Sequence, residues 1–89
     1  MPDGHLTRHI SSLIVQVRPE SLAVIEAGIA VLDGAEIHAA HEAGKLVVVL
    51  DTADEAEILS AIARIHDMPG VITASLIYHE IDTSDAEEI

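Results

Sequence analysis

The sequence contains no cysteine, no phenylalanine and no tryptophan, and its single tyrosine is Tyr78. Without thiols there are no disulfides, no thiolate metal sites and no cysteine nucleophile. With a single aromatic side chain the chain lacks the means to stack successive nucleic-acid bases on a sheet. Basic residues are equally scarce: 4 Lys and Arg stand against 16 Asp and Glu, a formal net charge of −12. No nucleic acid and no membrane insertion are expected, because phosphate-rich surfaces repel such a chain and no run of 18 apolar residues is present. Basic peptides or proteins are the better partners. Residues Met1 to Arg8 are too polar to form the apolar segment of a secretory leader, so a cytoplasmic location is expected by default.

What is present is aliphatic. Of 89 residues, 49% are hydrophobic, enough for one domain with a Leu, Ile and Val core. Residues 1–8 read as a flexible leader, 9–80 as the domain and 81–89 as an acidic flexible tail. Ile10, Leu13, Ile14, Val15 and Val17 form a strand that is apolar on both faces, as a central strand should be. Pro19 opens a helix whose stripe is Leu22, Ile25, Ile29 and Leu32, and Asp33-Gly34 ends it. Gly28 within it suggests close packing on a sheet.

Ala35 to His41 is a more polar strand, suited to a sheet edge. Glu42-Ala43-Gly44 makes a hairpin loop into Lys45 to Asp51, a second apolar strand. Thr52 with Glu55 reads as a capping box for a helix with Ile58, Leu59, Ile62 and Ile65 on one face. Met68-Pro69-Gly70 suits a type II turn before the last strand, Val71 to His79.

The order βαββαβ is the ferredoxin-like α+β arrangement, a four-stranded antiparallel sheet in the order 4-1-3-2 with two helices on one face. That order puts the two most apolar strands in the centre. Alternation then assigns faces. Leu13, Val15, Val17, Ile37, Ala39, Leu46, Val48, Leu50, Ile72, Ala74, Leu76 and Tyr78 should lie under the helices. Ser12, Ile14, Gln16, Glu36, His38, Ala40, Lys45, Val47, Val49, Thr73, Ser75, Ile77 and His79 should lie on the open face.

That open face, roughly 350 Å² from strand spacing and length, has an apolar centre and a polar rim. Such a surface suits an amphipathic helix. β-Branched residues placed for strand propensity alone would give the same pattern.

Catalytic readings fail on geometry. The chain has six histidines, but His38 and His41 fall on opposite faces, and His38 and His79 on opposite edge strands about 14 Å apart. No metal site is expected from them, since ligands must converge on one ion. Ser11 and Ser12 point to opposite faces, with no His–Asp relay in view. The absence of any asparagine removes the Arg and Asn pair of acylphosphatases, which share this fold. No cofactor motif is present.

Three stretches carry a resemblance. They are Ser11-Ser12-Leu13-Ile14-Val15-Gln16-Val17-Arg18-Pro19; Gly34-Ala35-Glu36-Ile37-His38 with Gly44-Lys45-Leu46-Val47-Val48-Val49-Leu50; and Pro69-Gly70-Val71-Ile72-Thr73-Ala74-Ser75-Leu76-Ile77-Tyr78-His79. From about His9 to Asp82 the chain resembles the NapD family, cytoplasmic assembly chaperones of the periplasmic nitrate reductase. The resemblance implies a ferredoxin-like fold and no enzymatic activity. It also implies binding of the twin-arginine signal peptide of the catalytic subunit, NapA, which delays Tat export until cofactors are inserted. No family motif fixes the contact residues, so strand parity supplies the candidates: Ser12, Ile14, Gln16, Val47, Val49, Ser75, Ile77 and His79. The alternative is an ACT-like regulatory module that binds a small molecule, built on the same architecture.

Overall fold

Two aliphatic strands form the middle of the sheet, each paired with a neighbour along both of its edges. The structure is a computed structural model and describes residues 7–83; the leader and tail expected from composition lie largely outside that range. β1 (Thr7–Val17) leads through a turn of 3-10 helix (Pro19–Ser21) into α1 (Leu22–Ala30). β2 (Ala35–His41), β3 (Lys45–Thr52), α2 (Glu55–His66) and β4 (Val71–Thr83) follow. The sheet order is β2-β3-β1-β4, with every neighbour antiparallel, so the ferredoxin-like topology read from the sequence is the fold. The ladder starts at Thr7 and ends at Thr83, taking in positions on either side of 9–80 that composition had given to leader and tail.

The core is made by one face of the sheet and one stripe of each helix. Leu13, Val15 and Val17 of β1 and Leu46, Val48 and Leu50 of β3 are buried against Ile25, Ile29, Ile58 and Ile65. Burying one such side chain contributes about 1.5–3 kcal/mol. Ala35, Ile37, Val71 and Ala74 pack at its margin from the edge strands.

The caps differ from the sequence expectation at one end. α2 begins two residues later than Thr52 would set it. Asp54 is the N-cap, its carboxylate accepting from Glu57 N at 2.9 Å, while Glu57 Oε1 accepts from Ala53 N at 3.1 Å. Thr52 instead ends β3, opposite His9 and buried, and its hydroxyl donates to the Asp54 carbonyl at 3.2 Å. Both Thr52 and Asp54 have an acid three positions on, and ladder pairing decides between them.

The turn before β4 is as expected: Val71 N donates to the Met68 carbonyl at 3.1 Å, across Pro69 and a Gly70 at φ 101°. Gly28 meets the Met68 thioether, 3.4 Å from where a Cβ would stand, and not the sheet. No helix among the described residues is long and apolar enough to cross a membrane.

Candidate functional site

The helix-free face is built from four registered rows. At its centre Val47 of β3 stands opposite Ile14 of β1, which stands opposite Ser75 of β4; Ala39 of β2 joins Val47 from the other side. The next row is Glu36, Val49, Ser12 and Tyr78. Beyond it come Asp51, Ile10 and Glu80, and at the opposite end His41, Lys45, Gln16 and Thr73. Ser12, Ile14, Val47 and Val49 are half-buried by their neighbours alone, while Gln16 and Ser75 are exposed. Six candidates therefore share one surface with an apolar centre.

Two candidates do not sit as alternation implied, and the cause is a pair of bulges in β4. The register between β1 and β4 shifts at Gln16/Val17 and again at Ser12/Leu13. Ile72 and Ile77 are the extra residues, and they are 56% and 58% exposed. A bulge puts two residues opposite one and reverses parity beyond it. Val71, not Ile72, packs on the core beside Val17. Tyr78 is paired with Ser12 and so belongs to the open face, not under the helices. His79 is paired with buried Ser11 and so belongs to the helix side, which corrects its placement among the open-face candidates. Ile77 stands at the irregularity itself. Leu76 is opposite core residue Leu13 but 46% exposed, because helix cover runs out at this edge.

β2 carries a third irregularity, between Ile37 and Ala39. It moves Ala39 to the open face opposite Val47 and Ala40 to the other side opposite Leu46, the reverse of the expected assignment. His41 shares the row of Lys45 and is likewise on the open face. His38 remains beside Glu36, its Nε2 3.9 Å from the carboxylate.

Polar contacts on this face lie at its margins. Arg8 Nε binds Asp51 Oδ1 at 2.8 Å, and this exposed pair contributes at most about 1 kcal/mol. The Tyr78 hydroxyl donates to Glu80 Oε1 at 3.0 Å. That hydrogen bond, reinforced by the carboxylate's charge and slight burial, raises the phenol above its ordinary value of 10.0. Tyr78 was missed as a site residue because its face depends on the bulge. Ile10 was read as part of the first strand but given no face; it shares the open side with Ser12 and Ile14, opposite Asp51 and Glu80. Among the described residues no three His, Asp or Glu side chains converge as a metal site would require.

Comparison with known proteins decides what kind of protein carries this face. The family model described as NapD protein matches residues 8–83. The chain belongs to the NapD family. It is 37% identical over 75 residues to the chaperone NapD of Haemophilus influenzae, covering 83% of this chain and 81% of that protein. It is 40% identical over 80 residues to the chaperone NapD of Paracoccus pantotrophus, covering 90% and 70% respectively. Among solved structures it is similar to the solution structure of the E. coli Tat proofreading chaperone protein NapD, with a TM-score of 0.76 at 26% identity. That match covers 92% of this chain and 86% of the other. As a member of the NapD family the chain is a chaperone and not an enzyme, and the small-molecule regulatory reading gives way.

Proposed function

We propose that this chain binds the twin-arginine signal peptide of the periplasmic nitrate reductase catalytic subunit, NapA, on the open face of its sheet. In this reading it acts in the cytoplasm and withholds the precursor from the Tat translocase until cofactors are in place. The observation that supports the reading best is the central patch of Val47, Val49, Ile14 and Ala39, in register on three strands and uncovered by any element of the described fold.

A twin-arginine signal is basic at its start and apolar after it. Its apolar stretch, folded as a helix, would cover that patch, and its arginines would enter the field of a domain with net charge −12. Folding the peptide costs about 2–5 kcal/mol or more, which burial of aliphatic area on both partners has to exceed. Holding the apolar stretch against the sheet would also hide it from the export machinery, so one contact gives both recognition and delay.

The test is a titration of isotope-labelled protein with the signal peptide of a nitrate reductase precursor. Saturable shifts centred on Ile14, Val47, Val49 and Ser12 are expected. Absence of binding, or shifts confined to α1 and α2, would refute the reading.

A further inference from the structure

The four rows of the open face are not electrostatically equivalent. At one end Glu36 on β2 ends the row of Val49, Ser12 and Tyr78, and Glu80 on β4 stands opposite Ile10 in the outermost row. Both are exposed, and neither meets an Arg or Lys among the described residues. Glu36 has only His38 at 3.9 Å, and Glu80 only the Tyr78 hydroxyl. Asp51, in the outermost row, is already neutralised by Arg8. At the other end Lys45 is the one charged side chain in a row with His41, Gln16 and Thr73. Glu42 lies in the adjoining hairpin loop, and Arg18 and Glu20 follow β1 at the same end, outside the row itself. From Asp51 to Lys45 the strand rises about 20 Å, the length of a helix of about 14 residues.

We infer that the open face reads the direction of the peptide, seating a helix with its basic N-terminal end over Glu36 and Glu80 and its uncharged C-terminal end over Lys45. The inference rests on the proposed function and adds to it an orientation and a selectivity. Two independent properties of the ligand point the same way. Its arginines precede its apolar stretch, and a helix carries partial positive charge at its N-terminus and partial negative charge at its C-terminus. In the inferred direction both properties oppose the sign of the face. In the reverse direction the arginines meet Lys45 while Glu36 and Glu80 face the negative end of the dipole. The apolar contacts in the middle are the same either way, so the charged rows decide.

The selected ligand is therefore an apolar segment with arginines at its N-terminal end, and the same apolar segment with arginines moved to its C-terminal end is disfavoured. Orientation is measured with a nitroxide on either end of the signal peptide. An N-terminal label is expected to broaden the amide signals of Glu36, Val49 and Tyr78, and a C-terminal label those of Lys45, Gln16 and Thr73. The double variant Glu36→Lys, Glu80→Lys, folded by circular dichroism, is expected to lose roughly tenfold in affinity for the natural peptide. The same variant is expected to bind the peptide with relocated arginines better than the wild-type protein does. The opposite broadening pattern, or affinities unchanged by the double variant, would overturn the orientation while leaving docking on the face intact. If neither label broadens any open-face signal, docking on the face itself fails.

Discussion

His9 Nδ1 lies 2.9 Å from His79 Nε2, with the two rings stacked at a centroid distance of 5.2 Å. One imidazole donates to the other, joining β1 to β4 by side chains on the helix side of the sheet. Two positions on along β1, Ser11 is fully buried opposite His79, and the Ser11 hydroxyl has no hydrogen-bond partner. The ladder continues past the pair to Thr7 and Thr83.

Replacing His79 by Ala should therefore destabilise the domain by about 0.5–1.5 kcal/mol, the net value of a part-buried hydrogen bond. It should leave signal-peptide affinity unchanged. Urea unfolding beside calorimetry checks both halves. Weakened peptide binding with unaltered stability would return His79 to the open face.

Val47 and Val48 are adjacent but belong to opposite faces. Val47→Asp leaves its carboxylate in water in the free protein, so the domain should fold. Peptide binding should fall at least a hundredfold, because a docked helix would bury an unpaired charge. Val48→Asp should unfold the protein, since Val48 has no exposure at all. Circular dichroism with calorimetry separates the two, and a tolerated Val48→Asp would invert the assignment.

The faces of the central strands were legible in the sequence because β1 and β3 alternate without interruption and pair without slippage. The edge strands were not. Along Leu76-Ile77-Tyr78 every residue is apolar, so an inserted position leaves no break in the hydrophobic pattern. The same holds for Val71-Ile72, where either residue could have filled the core. In β2 the small Ala39 and Ala40 suit both sides equally. Element order, topology and six open-face candidates followed from periodicity. Tyr78, His79, Ala39 and His41 depended on backbone irregularities that composition does not record.

Tyr78 offers a clean titration, since the chain has no Trp and no other Tyr. Its absorbance near 295 nm should report a phenol that ionises above the ordinary 10.0. Glu80→Gln should bring the midpoint down towards that value by removing the charged acceptor. The folded state holds this proton more tightly than an unfolded chain does. Its contribution to stability is thus fully present below pH of about 10 and is lost as pH rises through the folded value. An unaltered midpoint in the Gln variant would mean that the hydroxyl does not engage Glu80.

Two glycines should respond oppositely to alanine. At Gly28 a Cβ would touch only the flexible Met68 thioether at 3.4 Å, and helical Ala is preferred over Gly, so Gly28→Ala should stabilise by about 0.5–1 kcal/mol. At Gly70 the backbone has φ 101°, and a Cβ would fall 2.4 Å from Ser21 Oγ. Gly70→Ala should destabilise by more than 1 kcal/mol. Thermal unfolding of both variants is the check; a destabilised Gly28→Ala would show that Met68 cannot move.

The bulges at Ile72 and Ile77 make β4 a strand with two shifts of reading frame. Side chains alternate with a period of two, and an extra residue stands outside the ladder, so the residues beyond it keep their partners when it is lost. Deletion of Ile77 alone would remove the bulge and leave Tyr78 opposite Ser12 and His79 opposite Ser11, on the sides they hold now. A single-codon deletion could thus straighten β4 while Tyr78 stayed on the rim of the docking surface and the uninterrupted register of β1 with β3 kept its centre unchanged.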